Sequence, residues 1–147
     1  YPKVGIVVDC ATHCVLAVIP ERGAGPDVTH FRKAIIEAER NIRLKILVAD
    51  AGYDGEPSHV FARARGIRTI IPATIGRPSA SLPKGKWRKI MATRFNKKLY
   101  GQRWQVETVN SMVKRVLGSA LRARTYWSQC RELMVRFLAY NVMILWT

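Results

Sequence analysis

The sequence predicts an α/β fold, and three observations carry the prediction. Short runs rich in β-branched and aliphatic residues recur at Val4 to Asp9, Cys14 to Ile19, Lys45 to Asp50 and Arg68 to Pro72. Between and after them, apolar residues repeat at helical spacing. A strand, a helix and a strand then follow at the separation of a parallel crossover, which is right-handed as a rule. A length of 147 residues is room for one ordinary domain. With 48% hydrophobic and 24% charged residues, the composition excludes wholesale disorder.

Taken in order, Val4 to Asp9 and Cys14 to Ile19 flank a short polar break and read as a β-hairpin. Pro20, Gly23, Gly25 and Pro26 punctuate the loop that follows. Gly23 and Gly25 do not make a phosphate loop, because no helix opens on them and no third glycine follows. Asp27 or Thr29 can cap a helix that carries Phe31, Ala34, Ile35 and Ala38 on one face. Lys45 to Asp50 is an apolar strand ending abruptly in Asp50-Ala51-Gly52-Tyr53-Asp54-Gly55, where Gly52 leaves room for a sharp turn. Pro57 suits a first helical position, Val60, Phe61 and Ala64 continue that helix, and Gly66 can end it before the Arg68 to Pro72 strand.

The hairpin and crossover occupy 1–72, and 73–86, with two Pro, two Gly and two Ser, reads as a linker. The remainder, 87–147, is basic and helical: a segment from Trp87 to Lys98, a helix from about Tyr100 to Leu117, a break at Arg122 to Thr125, and a last helix capped by Ser128. That helix runs to Leu145 with Leu133, Phe137, Leu138, Val142 and Leu145 on its apolar side, which is expected to serve the core.

Charge narrows the function classes. Twenty-five Lys and Arg oppose ten acids, a formal net charge of +15, which points to a polyanionic partner. Between Arg63 and Arg124 the only acid is Glu107. The longest apolar runs, Cys14 to Ile19 and Val142 to Trp146, are far short of the roughly 20 residues that cross a bilayer. No apolar leader opens the chain, and a start at Tyr1 rather than Met suggests that translation begins upstream. Cys10, Cys14 and Cys130 fit reduced thiols in a cytoplasm, and Cys10 and Cys14 read as two thiols buried around a turn rather than, with His13, as the start of a zinc site.

Two carboxylates stand out by position. Asp50 closes a strand at its carboxyl edge, where open α/β sheets place ligands. Glu107 lies on the Tyr100 to Leu117 segment, and a continuous helix there sets Tyr100, Arg103, Glu107 and Lys114 on one stripe, with Val109, Met112, Val113 and Val116 on the apolar face. Such a stripe has the groups to hold a metal and to grip phosphates.

These residues carry a resemblance. Asp50-Ala51-Gly52-Tyr53-Asp54 resembles the second-aspartate motif of DDE transposases from bacterial insertion sequences, and Tyr100, Arg103, Glu107 and Lys114 resemble that family's Tyr-Arg-Glu-Lys motif. Arg103-Trp104-Gln105-Val106-Glu107-Thr108, Gly118-Ser119-Ala120-Leu121 and Tyr140-Asn141 are similar to the flanking text. The resemblance implies an RNase H-like core, a mixed sheet flanked by helices, in which three acids hold two Mg²⁺ ions (Mn²⁺ substituting) for DNA cleavage and strand transfer at element ends. It implies that Asp50 and Glu107 are catalytic metal ligands, that Tyr100, Arg103 and Lys114 contact DNA, and that the protein works in a bacterial cytoplasm, commonly as a homodimer. It also places the first catalytic Asp on a central strand ahead of the hairpin. The chain lacks that strand, so 1–147 is expected to be a partial catalytic domain. Asp9, at the hairpin turn, reads as a turn residue. The alternative is a truncated, inactive remnant that only binds DNA through its basic face; a structure-selective nuclease on the same core is a third reading.

Overall fold

A computed structural model describes residues 2–74 and 81–147, so the central part of the 73–86 linker lies outside the described residues. The elements run β1 (Pro2–Val8), β2 (Val15–Arg22), α1 (Phe31–Glu39), β3 (Ile46–Val48), α2 (Glu56–Ala64), β4 (Arg68–Ile70), α3 (Lys86–Thr93), α4 (Lys97–Tyr100), α5 (Trp104–Leu117) and α6 (Tyr126–Trp146). This is the mixed α/β architecture expected, with small sheets flanked by helices, consistent with an RNase H-like fold. The chain packs as two compact units, one of Tyr1–Gly25 with Trp104–Thr147 and the other of Pro26–Arg103.

In the first unit β1 and β2 pair antiparallel, with Gly5 opposite Ile19 and Ile6 opposite Val18. Asp9 holds the connecting turn: its carboxylate accepts from Ala11 N (3.4 Å), Thr12 N (3.2 Å) and the Thr12 hydroxyl (2.6 Å). These bonds keep its carboxyl below the ordinary aspartate range, the Thr12 hydroxyl contributing most. Neither neighbouring thiol is buried as expected, since Cys10 is exposed and Cys14 half-buried. The turn ends at His13 in the left-handed region (φ 62°), a conformation that costs a residue with a Cβ and needs outside support. That support comes from both later helices. The His13 ring bonds the Gln105 side-chain oxygen on α5, and its carbonyl accepts from Tyr140 Oη on α6 at 3.2 Å. Asn141 Oδ1 takes Val15 N–H and its Nδ2 donates to Val15 O, both at 2.8 Å, so one side chain completes the edge of β2. Val15, Val109, Val113, Phe137 and Tyr140 form the core of this unit, with Ile6, Val18 and Met112 packed against it.

Two helical expectations need correction here. Thr125, not Ser128, caps α6, its hydroxyl accepting from Ser128 N at 3.3 Å. The buried residues of α6 are Cys130, Phe137 and Tyr140, whereas Leu138, Val142 and Leu145 are 63%, 58% and 76% exposed. A 21-residue helix apolar on most of its circumference gives no periodic signal to choose the buried side, and the Tyr140 and Asn141 hydrogen bonds choose it instead.

In the second unit β3 and β4 are parallel, Ile46 opposite Arg68 and Val48 opposite Ile70, and α2 between them in sequence packs on β4, α1 and α3. α1 buries Phe31, Ala34, Ile35 and Ala38 as its spacing predicts. Thr29 does not cap it: a 3₁₀ turn at Asp27–His30 leads in, and the Thr29 hydroxyl donates to Pro26 O at 2.9 Å. α2 closes where expected. Gly66 (φ 77°) follows it, with Gly66 N on Arg63 O (3.0 Å) and Ile67 N on Ala62 O (3.0 Å), which satisfies the last carbonyls.

Removing the Asn141 amide strands the N–H and C=O of Val15 together. Asn141→Ala is therefore expected to destabilise the protein by about 2 kcal/mol in urea unfolding.

Candidate functional site

Asp50 follows β3 in extended conformation (φ −68°, ψ 161°) and begins a 3₁₀ turn at Ala51–Tyr53. Gly52 lies within this turn and outside the left-handed region, so its missing side chain is not what makes the chain bend. The Asp50 carboxylate makes no capping hydrogen bond and its side chain is 57% exposed, with Arg103 Nη1 3.5 Å from Oδ2. An exposed pair of that length stabilises by about 0–1 kcal/mol, so Asp50 is not held in place for the sake of the fold.

Asp54, four residues on, is the opposite case. Its side chain is 2% exposed and accepts the Arg88 guanidinium side-on, at 2.8 Å from Nη2 and 3.0 Å from Nε. It also accepts Thr74 N at 2.8 Å, while Arg88 donates to Thr74 O (3.1 Å) and the Thr74 hydroxyl to Ala51 O (3.2 Å). The hydrogen bonds to Asp54 raise the Arg88 pKa further above its ordinary value. Behind Asp54 lies His59, fully buried, with Nε2 4.0 Å from Asp54 Oδ1. Its Nδ1 meets the Thr69 hydroxyl at 2.7 Å, and Arg63 Nε donates to that same oxygen at 3.2 Å. The hydroxyl proton is then available to His59 Nδ1, which leaves the ring proton on Nε2, facing the carboxylate. Burial pushes the His59 pKa down and keeps the ring neutral. On the other flank, Tyr53 Oη bonds His30 Nε2 at 2.7 Å. The turn bearing Asp50 is thus anchored at Tyr53 and Asp54, and Asp50 itself is left at the surface.

Glu56 completes the frame. Its carboxylate accepts Trp87 N and Arg88 N, both at 3.1 Å, and so caps the start of α3 from 31 and 32 residues away. Gly85 precedes that helix at φ 98°, where a Cβ would collide with the Glu56 carboxylate. Neither Glu56 nor the Asp54–Arg88 pair was legible as a site-building feature, because no local spacing links residues so far apart in the chain.

Tyr100 and Arg103 do not share a helix with Glu107 and Lys114, which corrects the continuous stripe. α4 ends at Tyr100, a 3₁₀ turn covers Gly101–Arg103, and α5 starts at Trp104. Glycine at 101 weakens a helix by about 1 kcal/mol relative to alanine, and the short α4 has its own cap in Asn96, whose Oδ1 accepts Leu99 N at 2.9 Å. Arg103 nevertheless lies over the Tyr100 ring, 5.9 Å from its centre, so Tyr100, Arg103 and Asp50 form one contact chain. Glu107, in the first turn of α5, and Lys114, seven residues later, both face solvent on one side of that helix. Gln105, two residues before Glu107, is buried against His13 and fixes this end of α5.

The described cations between 63 and 124 are exposed except for Arg63, Arg88 and Arg103. Hard carboxylate oxygens suit a divalent cation, and Asp50 and Glu107 each offer them at the surface. Among the described residues no group of three or more His, Cys, Asp or Glu side chains gathers to hold a metal. No helix among them is long and apolar enough to cross a membrane.

Residues 2–142 match the family model described as Transposase DDE domain. The chain belongs to that family, a class of phosphoryl-transfer domains of transposition. No curated protein and no solved structure matches the chain.

The geometry separates two aspartates four residues apart. Asp54→Ala leaves Arg88 without its buried partner and is expected to cost roughly 2–4 kcal/mol in chemical denaturation, while Asp50→Ala stays within about 0.5 kcal/mol of wild type.

Proposed function

We propose that the chain is the catalytic part of a transposase of the Tyr-Arg-Glu-Lys type, acting on DNA phosphodiesters at insertion-sequence ends, first by cleavage and then by strand transfer. The observation that carries this reading is the exposed Asp50 carboxylate on a turn whose other acid, Asp54, is buried and committed to the fold. In this reading Asp50 and Glu107 would hold Mg²⁺ or Mn²⁺, and such ions supply Lewis acidity for in-line displacement at phosphorus. Arg103 neutralises Asp50 until a cation or phosphate competes for it. Its guanidinium, oriented by the Tyr100 ring, then pairs with DNA phosphate, and Lys114 adds a second cationic contact. Action as a homodimer on paired ends belongs to the same proposal.

A second reading, DNA binding without chemistry, draws on the exposed cations of 84–124, which need no metal to engage a phosphate backbone. One experiment separates the two. With Mg²⁺ or Mn²⁺ and a labelled DNA duplex, the chain joined to a preceding strand that restores the family's first Asp is expected to nick the DNA. Glu107→Gln and Asp50→Asn are each expected to slow nicking by at least about 100-fold, or about 2.7 kcal/mol of barrier, with DNA affinity nearly unchanged. Equal nicking by the variants would remove both residues from the site, and binding without any nicking once the first Asp is restored would leave the second reading.

A further inference from the structure

The loop joining α5 to α6 has no helix or strand of its own, yet α6 fixes its backbone at five points. Gly118 (φ 88°) ends α5. Arg136 Nη1 then donates to Gly118 O and its Nη2 to Ala120 O, both at 2.5 Å. The Glu132 carboxylate accepts Arg122 N at 3.0 Å and Ala123 N at 2.8 Å, and Gln129 Nε2 donates to Ala123 O at 3.1 Å. Gln129, Glu132 and Arg136 follow at three- and four-residue spacing, so one stripe of α6 holds the loop. Glu132 and Arg136 pair at 2.6 Å with side chains only 21% and 13% exposed, so the holding groups are themselves ordered.

This arrangement leaves a regular pattern at the surface. Leu121 and Ala123 are half-buried while Arg122 and Arg124 are exposed, the alternation of an extended segment with one side packed. Ala123 is tied at both its N–H and its C=O, and the two arginines flank it. Lys114 and Arg115, also exposed, end the helix that leads into the loop. Among the described residues no hydrogen bond, ion pair or ring contact uses the Arg122 or Arg124 side chain, whereas three polar side chains of α6 set the backbone that presents them.

We propose that residues 118–125 form a pre-shaped clamp for the phosphate backbone of duplex DNA, in which Arg122 and Arg124 contact phosphates and Glu132, although acidic, promotes binding by holding the loop. The proposal rests on the reading that this chain handles DNA, and it adds a contact element outside the Tyr-Arg-Glu-Lys residues. A held backbone favours binding because less ordering remains to be done when the phosphates arrive.

The sign of one charge change makes the proposal testable. Glu132→Ala raises the formal charge from +15 to +16, and charge alone would then tighten DNA binding. The clamp requires the reverse. Binding of a short fluorescent duplex of arbitrary sequence to the full chain is measured by anisotropy over a range of salt concentrations. Glu132→Ala is expected to weaken binding about 3- to 10-fold at fixed salt, while Glu37→Gln, a half-buried acid on α1 removed as a control, does not weaken it. The double variant Arg122→Ala/Arg124→Ala is expected to reduce the slope of log affinity against log salt by about 1.8, two phosphate contacts at about 0.9 each. Arg40→Ala/Arg43→Ala, equal in charge loss, is expected to change it by less than half of that. Tighter binding by Glu132→Ala, or equal slopes in the two double variants, overturns the clamp alone. Loss of fold in Glu132→Ala, seen by circular dichroism, passes the decision to the exposed arginine pair. Failure of the wild-type chain to bind the duplex at all overturns both the clamp and the DNA reading beneath it.

Discussion

The buried Asp54 carboxylate, gripped by the Arg88 guanidinium and by Thr74 N–H, is the interaction on which the surroundings of Asp50 depend. It joins the turn after β3 to the segment after β4 and to α3, and it does so with a charge pair that leaves little room for adjustment. The same device recurs at the chain's other irregular places. Asp9 holds the hairpin turn, Glu56 caps α3, and Glu132 holds the loop before α6, each by accepting backbone N–H groups. In a chain with ten acids against twenty-five bases, four carboxylates are thus committed to backbone amides. An acid at a turn is unremarkable here unless it lacks such a bond. Asp50, which caps nothing, is the informative exception.

Much of the fold was legible in the sequence because it rests on local periodicity. The hairpin, the parallel β3–β4 pair, the buried face of α1 and the glycine stop after α2 follow from alternation, spacing and a single φ requirement. What escaped is of two physical kinds. One is the break at Gly101–Arg103, where apolar and charged residues keep helical spacing across a short 3₁₀ turn and pattern alone cannot detect it. The other is long-range pairing: Glu56 with the start of α3, Asp54 with Arg88, and Asn141 with Val15 are separated by 31 to 126 residues. The exposed side of α6 is hidden from the sequence for a related reason, since a helix apolar nearly all round is oriented by its polar anchors.

Of the candidate site, Asp50 at a strand end and the cations around Glu107 were visible from position and charge, and the match to the Transposase DDE domain over 2–142 agrees with the family those residues resemble. The structural contribution is to divide the residues by task. Tyr140, Asn141 and Gln105, from the flanking text of the resemblance, bind the hairpin to α5 and α6. Arg103 and Tyr100 stand with Asp50. The flanking text thus serves the scaffold, while the motif residues Tyr100, Arg103, Glu107 and Lys114 all keep some exposure to solvent.

The central claim is that Asp50 is kept at the surface as a ligand for a divalent cation while Asp54 serves the fold. Paramagnetic broadening by Mn²⁺ in the NMR spectrum of the ¹⁵N-labelled chain tests it without reference to catalysis. The account predicts that substoichiometric Mn²⁺ broadens amides around Asp50, and that Asp50→Asn removes this effect while the other resonances keep their positions. Broadening that persists unchanged in Asp50→Asn, or that appears only at residues remote from Asp50, would contradict the account.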